Sequence, residues 1–295
     1  MPELPEVQTV VNHLAKILPG LSVKDVWTDT PKLIKNSGSF LAFKKKIVGE
    51  KFLRFERRGK NICLHLSNNL TLVIHQKMTG HLLYGVWEKK NRGWISPKAG
   101  AIRNDPHNRF IRVIFYLGNN KMLALCDMRK FAKIMLIETS LLHSHKDFSS
   151  LGPDALDKSL TLKKFSAIIK SKKGKIKQIL LDQTVVAGIG NIYADETLYD
   201  AGIHPLEKPE NISLIKMSAL YKSIRKILTL AIKHGGSSDV DFRNPLGEKG
   251  RYQEKHKVYR KTGSICLKRD GGEITRIVIG GRGTNFCPAH QKLIQ

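Results

Sequence analysis

Two stretches of this chain repeat one device: a run of alternating apolar residues, an asparagine-rich turn, and a second run. In NICLHL, Ile62, Leu64 and Leu66 alternate with Cys63 and His65; Ser67, Asn68 and Asn69 make the turn, and TLVIH follows. The pattern returns at RFIRVIFYL, with the turn Gly118, Asn119 and Asn120, and then KMLALC. A period of two divides each strand's side chains between two faces, and hairpins of this kind bury their apolar faces against one another. The region up to about residue 137 is thereby predicted to be a β-sandwich. Between the hairpins, residues 87–107 have turn composition and little periodicity, which predicts a long exposed insertion.

The rest of the chain is mainly helical in period. Near the start, Val7, Val10, Val11, Leu14 and Leu18 line one side of a helix that Gly20 can close, with Pro5 suited to its first turn. The serine-rich segment that runs into Gly152 and Pro153 reads as a connection. Beyond it, Leu162, Phe165, Ile168 and Ile169 line one helix, and Ile215, Leu220, Ile224, Ile227 and Leu228 another that Gly235 and Gly236 can stop. The last forty residues return to alternation around a glycine-rich turn. The expected fold is α+β: a β-sandwich domain with a flanking helix at 1–137, a linker at 138–153, a helical domain at 154–253 and a β-hairpin module at 254–295.

The charge balance narrows the partners. Among 295 residues, 51 Lys and Arg face 25 Asp and Glu, a net +26, and the basic residues are spread over most of the chain. Such a field attracts polyanions, with nucleic acid first among them. No apolar run is long enough to span a bilayer, so no membrane partner is expected, and the first helix lacks the basic leader of a secretory signal. Four dispersed cysteines, Cys63, Cys126, Cys266 and Cys287, suit a reducing compartment. A cytoplasmic protein is expected, and a monomer, since no heptad pattern appears.

Several short motifs could carry chemistry. In PELPEV, Pro2 becomes a cyclic secondary amine if Met1 is removed, and such an amine converts an aldehyde directly to a cationic iminium. The ordinary reading is an incidental N-terminal residue. In VVAGIGNIYADE, glycines lead into a helix for which Asn191 is a candidate cap; its N-terminus could bind a phosphate, or the glycines could serve packing alone. RRGK, residues 57–60, groups cations on a turn and could take a phosphate or be solvated surface. DMRKF, residues 127–131, sets an arginine and an aromatic two apart, able to replace stacking lost when a base leaves a duplex, or else a surface Arg beside a core Phe. Finally, Cys287 and His290 in CPAH have the spacing of a zinc knuckle, and Cys266 with Asp270 could complete the set.

In their order along the chain, PELPEV, RRGK, HQKMTG, DMRKF, LGPDAL, LLDQTVVAGIGNIYADE and VIGGRGTNFC resemble the formamidopyrimidine-DNA glycosylase family, bacterial enzymes that remove oxidised purines from DNA. The resemblance implies a bifunctional glycosylase and AP lyase of base excision repair, acting on 8-oxoguanine and formamidopyrimidines in duplex DNA and on abasic sites. Pro2 would attack C1′ of the damaged nucleotide, Glu3 would manage the proton of sugar opening, and Glu6 would hold the N-terminus and damaged nucleotide. Lys60, His75, Asn191 and Arg282 would bind phosphates around the lesion, with Lys60 grouped with the catalytic pair. Met78, Arg129 and Phe131 would fill the gap left by the flipped nucleotide, and residues 235–244 would fall in the loop over the extruded base. The helical domain would be a helix-two-turns-helix module, and the last segment a zinc-finger-like hairpin. Catalysis would need no cofactor.

The finger departs from the family's four cysteines. Here the set is Cys266, Asp270, Cys287 and His290, with one residue inserted in the first knuckle, so the hairpin either holds a structural zinc ion or forms without metal. Met128 and Lys130 also replace the usual Pro and Arg of DMRKF. Two other readings compete: an oxidised-pyrimidine glycosylase of the same superfamily, against which Leu4 counts because that branch usually carries Gly there, and a non-catalytic protein that binds damaged DNA.

Overall fold

The strands expected at 61–75 and 111–126 form, and each pair joins a different sheet. The computed structural model describes residues 1–91 and 93–294. Helix α1 (Leu4–Ile17) leads to β1 (Val23–Thr28), β2 (Ile34–Lys35), α2 (Phe40–Ile47), β3 (Phe52–Arg58), β4 (Asn61–Leu66), β5 (Leu70–His75) and β6 (His81–Gly85). Then come the hairpin β7 (Glu88–Lys90) and β8 (Gly93–Ile95), α3 (Ala101–Asn104), β9 (Ile111–Leu117), β10 (Met122–Cys126), β11 (Lys133–Glu138) and α4 (Lys146–Ser149). One sheet has the order β1-β9-β10-β6 and the other β2-β11-β5-β4-β3. Val26, Val113, Phe115, Leu123 and Leu125 from the first share one core with Phe52, Ile62, Leu64, Leu72, Ile74 and Ile134 from the second, and α1 adds Val7, Val10, Val11 and Leu14. This is the expected sandwich with its flanking helix.

The segment 87–107 is mostly exposed, as expected, but it is not unstructured, and a few of its side chains cover a sheet. On the outer face of the β1-β9-β10-β6 sheet, Leu83, Ile111, Ile114, Ala124 and Cys126 form a second buried cluster, and Trp87 closes over it. Trp94 on β8 packs edge-on against Trp27 with ring centroids 5.0 Å apart, and also against Tyr116. Alternation in β9 and β10 therefore separates two apolar faces rather than an apolar face from a wet one. The second face needs a cover, and the insertion supplies it.

The chain divides into two compact units, Met1–Ser149 with His234–Arg251, and Ser150–Lys233 with Tyr252–Gln295. Residues 234–251, assigned from sequence to the helical domain, thus pack with the first unit. The second unit holds α5 (Leu162–Lys170), α6 (Ile176–Leu181), α7 (Asn191–Ala201), α8 (Leu214–Lys233) and the antiparallel pair β12 (Thr275–Ile279) and β13 (Arg282–Phe286). A fully buried ion pair joins Lys177 of α6 to Asp195 of α7. Buried charges persist where further hydrogen bonds satisfy them: Asp195 Oδ2 also accepts the Asn285 backbone N–H (2.9 Å) and Nδ2 (3.1 Å), which ties the hairpin to α7. Gly280 and Gly281, at φ 55° and 73°, turn the hairpin through a conformation that two consecutive L side chains would resist. Among the described residues no helix is long and apolar enough to cross a membrane.

Candidate active site and nucleic-acid interface

Helix α1 begins at Leu4, earlier than periodicity indicated, because Glu3 is its N-cap and forms a capping box with Glu6. The Glu3 backbone N–H donates to Glu6 Oε2 (2.8 Å), and the Ser237 backbone N–H donates to Glu6 Oε1 (2.7 Å). One carboxylate thereby fastens the start of the chain to the 235–238 segment. Both glutamates are buried, Glu3 at 3% exposure and Glu6 at 1%, in a place where a carboxylate survives only with such donors. Gly236 cannot carry a side chain there: its φ is +77°, and a Cβ would stand 2.8 Å from Glu6 Oε1 and 2.9 Å from Glu6 Cγ. Pro2 is buried beside Glu3, and Met1 is exposed.

The RRGK turn joins β3 to β4 and divides its cations between two jobs. Arg57 donates from Nε to Gln8 Oε1 on α1 (2.9 Å) and from Nη1 to the Gly59 carbonyl (2.9 Å), so it braces the helix start rather than standing ready for an anion. Lys60 is 7% exposed and lies next to Asn61, which pairs across the sheet with His75 at the end of β5. Desolvation first, and then the charges of Lys77, Lys60 and Lys133, hold the His75 ring at about 3, far below its usual 6.5. It is neutral at physiological pH. The Lys77 backbone N–H donates to His75 Nδ1 (3.0 Å), which leaves the ring proton on Nε2 as a donor.

Two exposed loops carry the candidate gap-filling residues, and one buried carboxylate organises them. Asp127 Oδ1 accepts the Thr79 hydroxyl (2.5 Å) and the Arg129 N–H (3.2 Å), while Oδ2 accepts the N–H groups of Phe131 and Ala132 (both 2.7 Å). The loop holding Met78 is thereby tied to the loop holding Arg129 and Phe131. Phe131 is 51% exposed, so it is no core residue, and the Arg129 guanidinium lies 4.6 Å from its ring centroid. An aromatic ring and a guanidinium held out together in water form a stacking surface.

In the second unit the N-cap of α7 is Gly190, not Asn191, which is instead the first helical residue. Its Nδ2 donates to the Gly283 carbonyl (3.0 Å), so Asn191 sits against the backbone next to Arg282, and its Oδ1 is buried without a partner. Arg282 is exposed at the hairpin turn. Cys266, Asp270, Cys287 and His290 converge, with one potential ligand atom from each lying within 4.8 Å of the others. His290 Nε2 faces the Tyr199 carbonyl (3.2 Å), and Nδ1 faces Asp270 Oδ2 (2.5 Å) and Cys266 Sγ (3.6 Å). The Tyr199 hydroxyl reaches Cys266 Sγ (3.1 Å). Two sulfurs, an imidazole nitrogen and a carboxylate make a donor set that fits a tetrahedral metal ion.

Comparison with known proteins agrees with this geometry. The model of the formamidopyrimidine-DNA glycosylase N-terminal domain matches residues 1–134, and that of the formamidopyrimidine-DNA glycosylase H2TH domain matches residues 151–242. A formamidopyrimidine-DNA glycosylase of Pelotomaculum thermopropionicum is 37% identical over 293 residues, 99% of this chain and 100% of the relative. The chain belongs to the formamidopyrimidine-DNA glycosylase family. Its counterpart in Lactiplantibacillus plantarum is 33% identical over 99% of this chain and 100% of its own length. Among solved structures, Lactococcus lactis Fpg in complex with an abasic site containing DNA superposes with a TM-score of 0.84 at 32% identity, covering 98% of this chain and 99% of that one. A variant of the same Fpg with a Fapy-dG containing DNA gives 0.85 at 32% identity, covering 99% and 100%.

As a member of this family, the chain keeps the helix start and both exposed loops despite Met128 and Lys130. Asp127 and Ser237 lie in segments marked from the sequence, DMRKF and 235–244, but their hydrogen-bonding roles were missed there. Asp127 could have been suspected, because an acidic residue opening a tight loop commonly collects the loop's N–H groups. The pairing of Ser237 with Glu6 gave no signal, since the two lie 231 residues apart.

Proposed function

We infer that this protein is a bifunctional DNA glycosylase and AP lyase of base excision repair that removes oxidised purines from duplex DNA, with Pro2 as its nucleophile. The observation that carries the assignment is the helix start, where buried Glu6 holds the backbone of Glu3 and of Ser237 at once. That arrangement keeps residue 2 and the segment proposed to cover the extruded base in one place. A passive DNA-binding protein has no need of it.

The nitrogen of Pro2 is in a peptide bond until Met1 is removed, and exposed Met1 is open to that removal. The freed amine attacks C1′ as the C1′–N9 bond breaks; the base departs as an anion that takes a proton from water, and the Glu3 carboxylate takes the proton that the new ammonium at Pro2 gives up, which restores the nitrogen lone pair. Opening of the sugar breaks the C1′–O4′ bond; O4′ takes a proton from Glu3, and the nitrogen lone pair completes the cationic iminium. Loss of a 2′ proton to this electron sink lets the C3′–O3′ bond break. A second elimination breaks C5′–O5′ and leaves a one-nucleotide gap.

Lys60 and neutral His75, through Nε2–H, take phosphates from the first unit, and Asn191 and Arg282 take phosphates from the second. Met78, Arg129 and Phe131 occupy the space vacated by the flipped nucleotide, with Arg129 toward the orphaned base. Zinc held by Cys266, Asp270, Cys287 and His290 would stabilise the hairpin that carries Arg282, and no chemical step passes through it. The domain roles follow: a catalytic sandwich, a helix-two-turns-helix module and a DNA-binding hairpin, in a monomer that works on DNA in the cytoplasm.

Borohydride trapping on a duplex with one 8-oxoguanine tests the nucleophile, because reduction fixes the iminium as a covalent adduct. The wild type, with Met1 shown absent by mass spectrometry, is expected to form the adduct, and Pro2→Gly to lose it or form it about a thousandfold more slowly. Tight binding with a free Pro2 and no adduct on 8-oxoguanine or an abasic site would overturn the assignment.

A further inference from the structure

Residues 234–251 form a closed loop whose ends meet where the Arg251 backbone N–H donates to the His234 carbonyl (2.9 Å). A loop of this length has many conformations open to it, so its contacts decide which one it keeps. Glu6 holds it at Ser237. The second grip comes from the insertion, through Asp105. Standing before Pro106, Asp105 caps a short 3-10 turn (Pro106–Arg109), and its Oδ1 accepts the His107 backbone N–H (3.0 Å). Oδ2 remains for another donor and accepts Arg243 Nε (2.6 Å). Arg243 is 2% exposed, and a guanidinium is buried so deeply only where its donors are satisfied. Its Nη1 donates to the carbonyls of Val240 (3.2 Å) and Phe242 (2.7 Å), so one side chain curls its own segment and ties it to Asp105. Burial would raise the Asp105 carboxyl, yet hydrogen bonds from Arg243 and the His107 N–H hold it at about 2, and the pair stays ionised at physiological pH.

His107 repeats the link. Its Nδ1 lies 3.1 Å from Asp105 Oδ1 and 3.4 Å from Arg243 Nη2, and its Nε2 lies 3.3 Å from Asp241 Oδ1 in the loop. Backbone contacts extend the grip: the Tyr84 N–H on β6 donates to the Pro245 carbonyl (2.7 Å), and Gly247, at φ +81°, lies so close to α3 that a Cβ would stand 2.9 Å from Ile102 N. The insertion is itself rooted in the sandwich. Buried His81 on β6 faces Asn108 Oδ1 through Nε2 (2.9 Å), and buried Asn108 donates from Nδ2 to the Ala101 carbonyl (3.0 Å). A sheet thus fixes residues 241–247 through the insertion while Glu6 fixes residue 237, and between the two grips Val240 is 51% exposed.

We propose that Asp105 and His107 are positioning residues for base removal, which hold the segment over the extruded base in place through Arg243 and Asp241. The inference rests on the glycosylase reading above, in which residues 235–244 cover that base. A cover ordered in advance need not be ordered when the base arrives, and this favours only a nucleotide that still carries a base. An abasic sugar presents nothing to cover. Base removal and strand cleavage therefore differ in their need for Asp105 and His107, whereas a merely structural role would lower both together.

The test compares two single-turnover rates of the full-length protein: release of 8-oxoguanine from a duplex, and strand cleavage at a preformed abasic site in the same duplex. Borohydride trapping on the abasic duplex gives the active fraction of each preparation. Asp105→Asn keeps an acceptor for the turn and removes the charge opposite Arg243; it is expected to slow base release by about 10- to 100-fold and to leave cleavage at the abasic site near the wild-type rate. His107→Leu keeps the pair of Asp105 with Arg243 and loses only partly exposed ion pairs, so its base release is expected to fall about two- to fivefold, again without loss of abasic cleavage. It decides the matter if Asp105→Asn, with a buried guanidinium left uncompensated, fails to fold. Wild-type base release in the folded variants overturns the inference, and so does a parallel loss of both rates in active protein. Wild-type protein that releases no base overturns the glycosylase reading, and this inference with it, so the two failures are told apart by the wild type alone.

Discussion

The start of α1 and the cluster at the C-terminal hairpin are both small constellations of polar side chains, yet they are built to opposite tolerances. At the helix start each oxygen of Glu6 has its own backbone donor, at 2.8 and 2.7 Å, and the neighbouring Gly236 has no room for one carbon. At the hairpin, two thiols, a carboxylate and an imidazole converge within 4.8 Å where the family's pattern uses four thiols. A site that must aim a reacting atom has its residue types dictated by geometry. A site that must hold a turn needs converging donors, and oxygen or nitrogen can stand in for sulfur.

The sharpest way to break that comparison is to change one atom of the first site. Glu3→Gln keeps an acceptor for the cap and removes the proton, so single-turnover excision is expected to fall by about 10² to 10⁴ while DNA affinity and melting temperature stay near wild type. An unchanged rate would show that the helix start is only a cap. Gly236→Ala probes the same place without touching a titrating group. Its added carbon and its φ of +77° are expected to cost about 1–3 kcal/mol in denaturant unfolding, and a neutral substitution would mean that the contact with Glu6 yields easily. Removal of metal should do less. Dialysis against a strong chelator is expected to release about one zinc per chain and weaken DNA binding about tenfold, or about 1.4 kcal/mol, with the first unit's unfolding unchanged. Protein that never contained zinc would sharpen the comparison in another direction, since the four donors would then hold the turn through their own hydrogen bonds.

Much of the fold was open to a reader of the sequence, and particular residues explain why. The hairpins at 61–75 and 111–126 announce themselves because alternation and asparagine turns are local properties. Helix α7 was legible from its glycines, although the cap fell one residue earlier than Asn191. In the sequence RRGK is a group of cations of which the family resemblance marks Lys60, and only contacts with Gln8 and Gly59 show that Arg57 braces the helix start. The insertion at 87–107 is mostly exposed, as its turn composition indicates, but that composition hid its role as a cover. Trp87 and Trp94 in that segment were the available signal, since large aromatic side chains seldom remain in water without a surface to cover.

By itself the sequence determined the strand and helix periods, the excess of positive charge, the order of motifs that marks the family, and the position of a proline whose amine can be freed. Each of these depends on neighbours within a few residues or on composition. The tertiary structure decided the rest: that residues 234–251 belong with the first unit, that Glu6 joins Glu3 to Ser237, that the outer face of a sheet needs a cover, and that Asp105 pairs with Arg243. These are long-range pairings. They are selected only after local structure has formed, by which apolar faces still need burial and which buried polar groups still need partners.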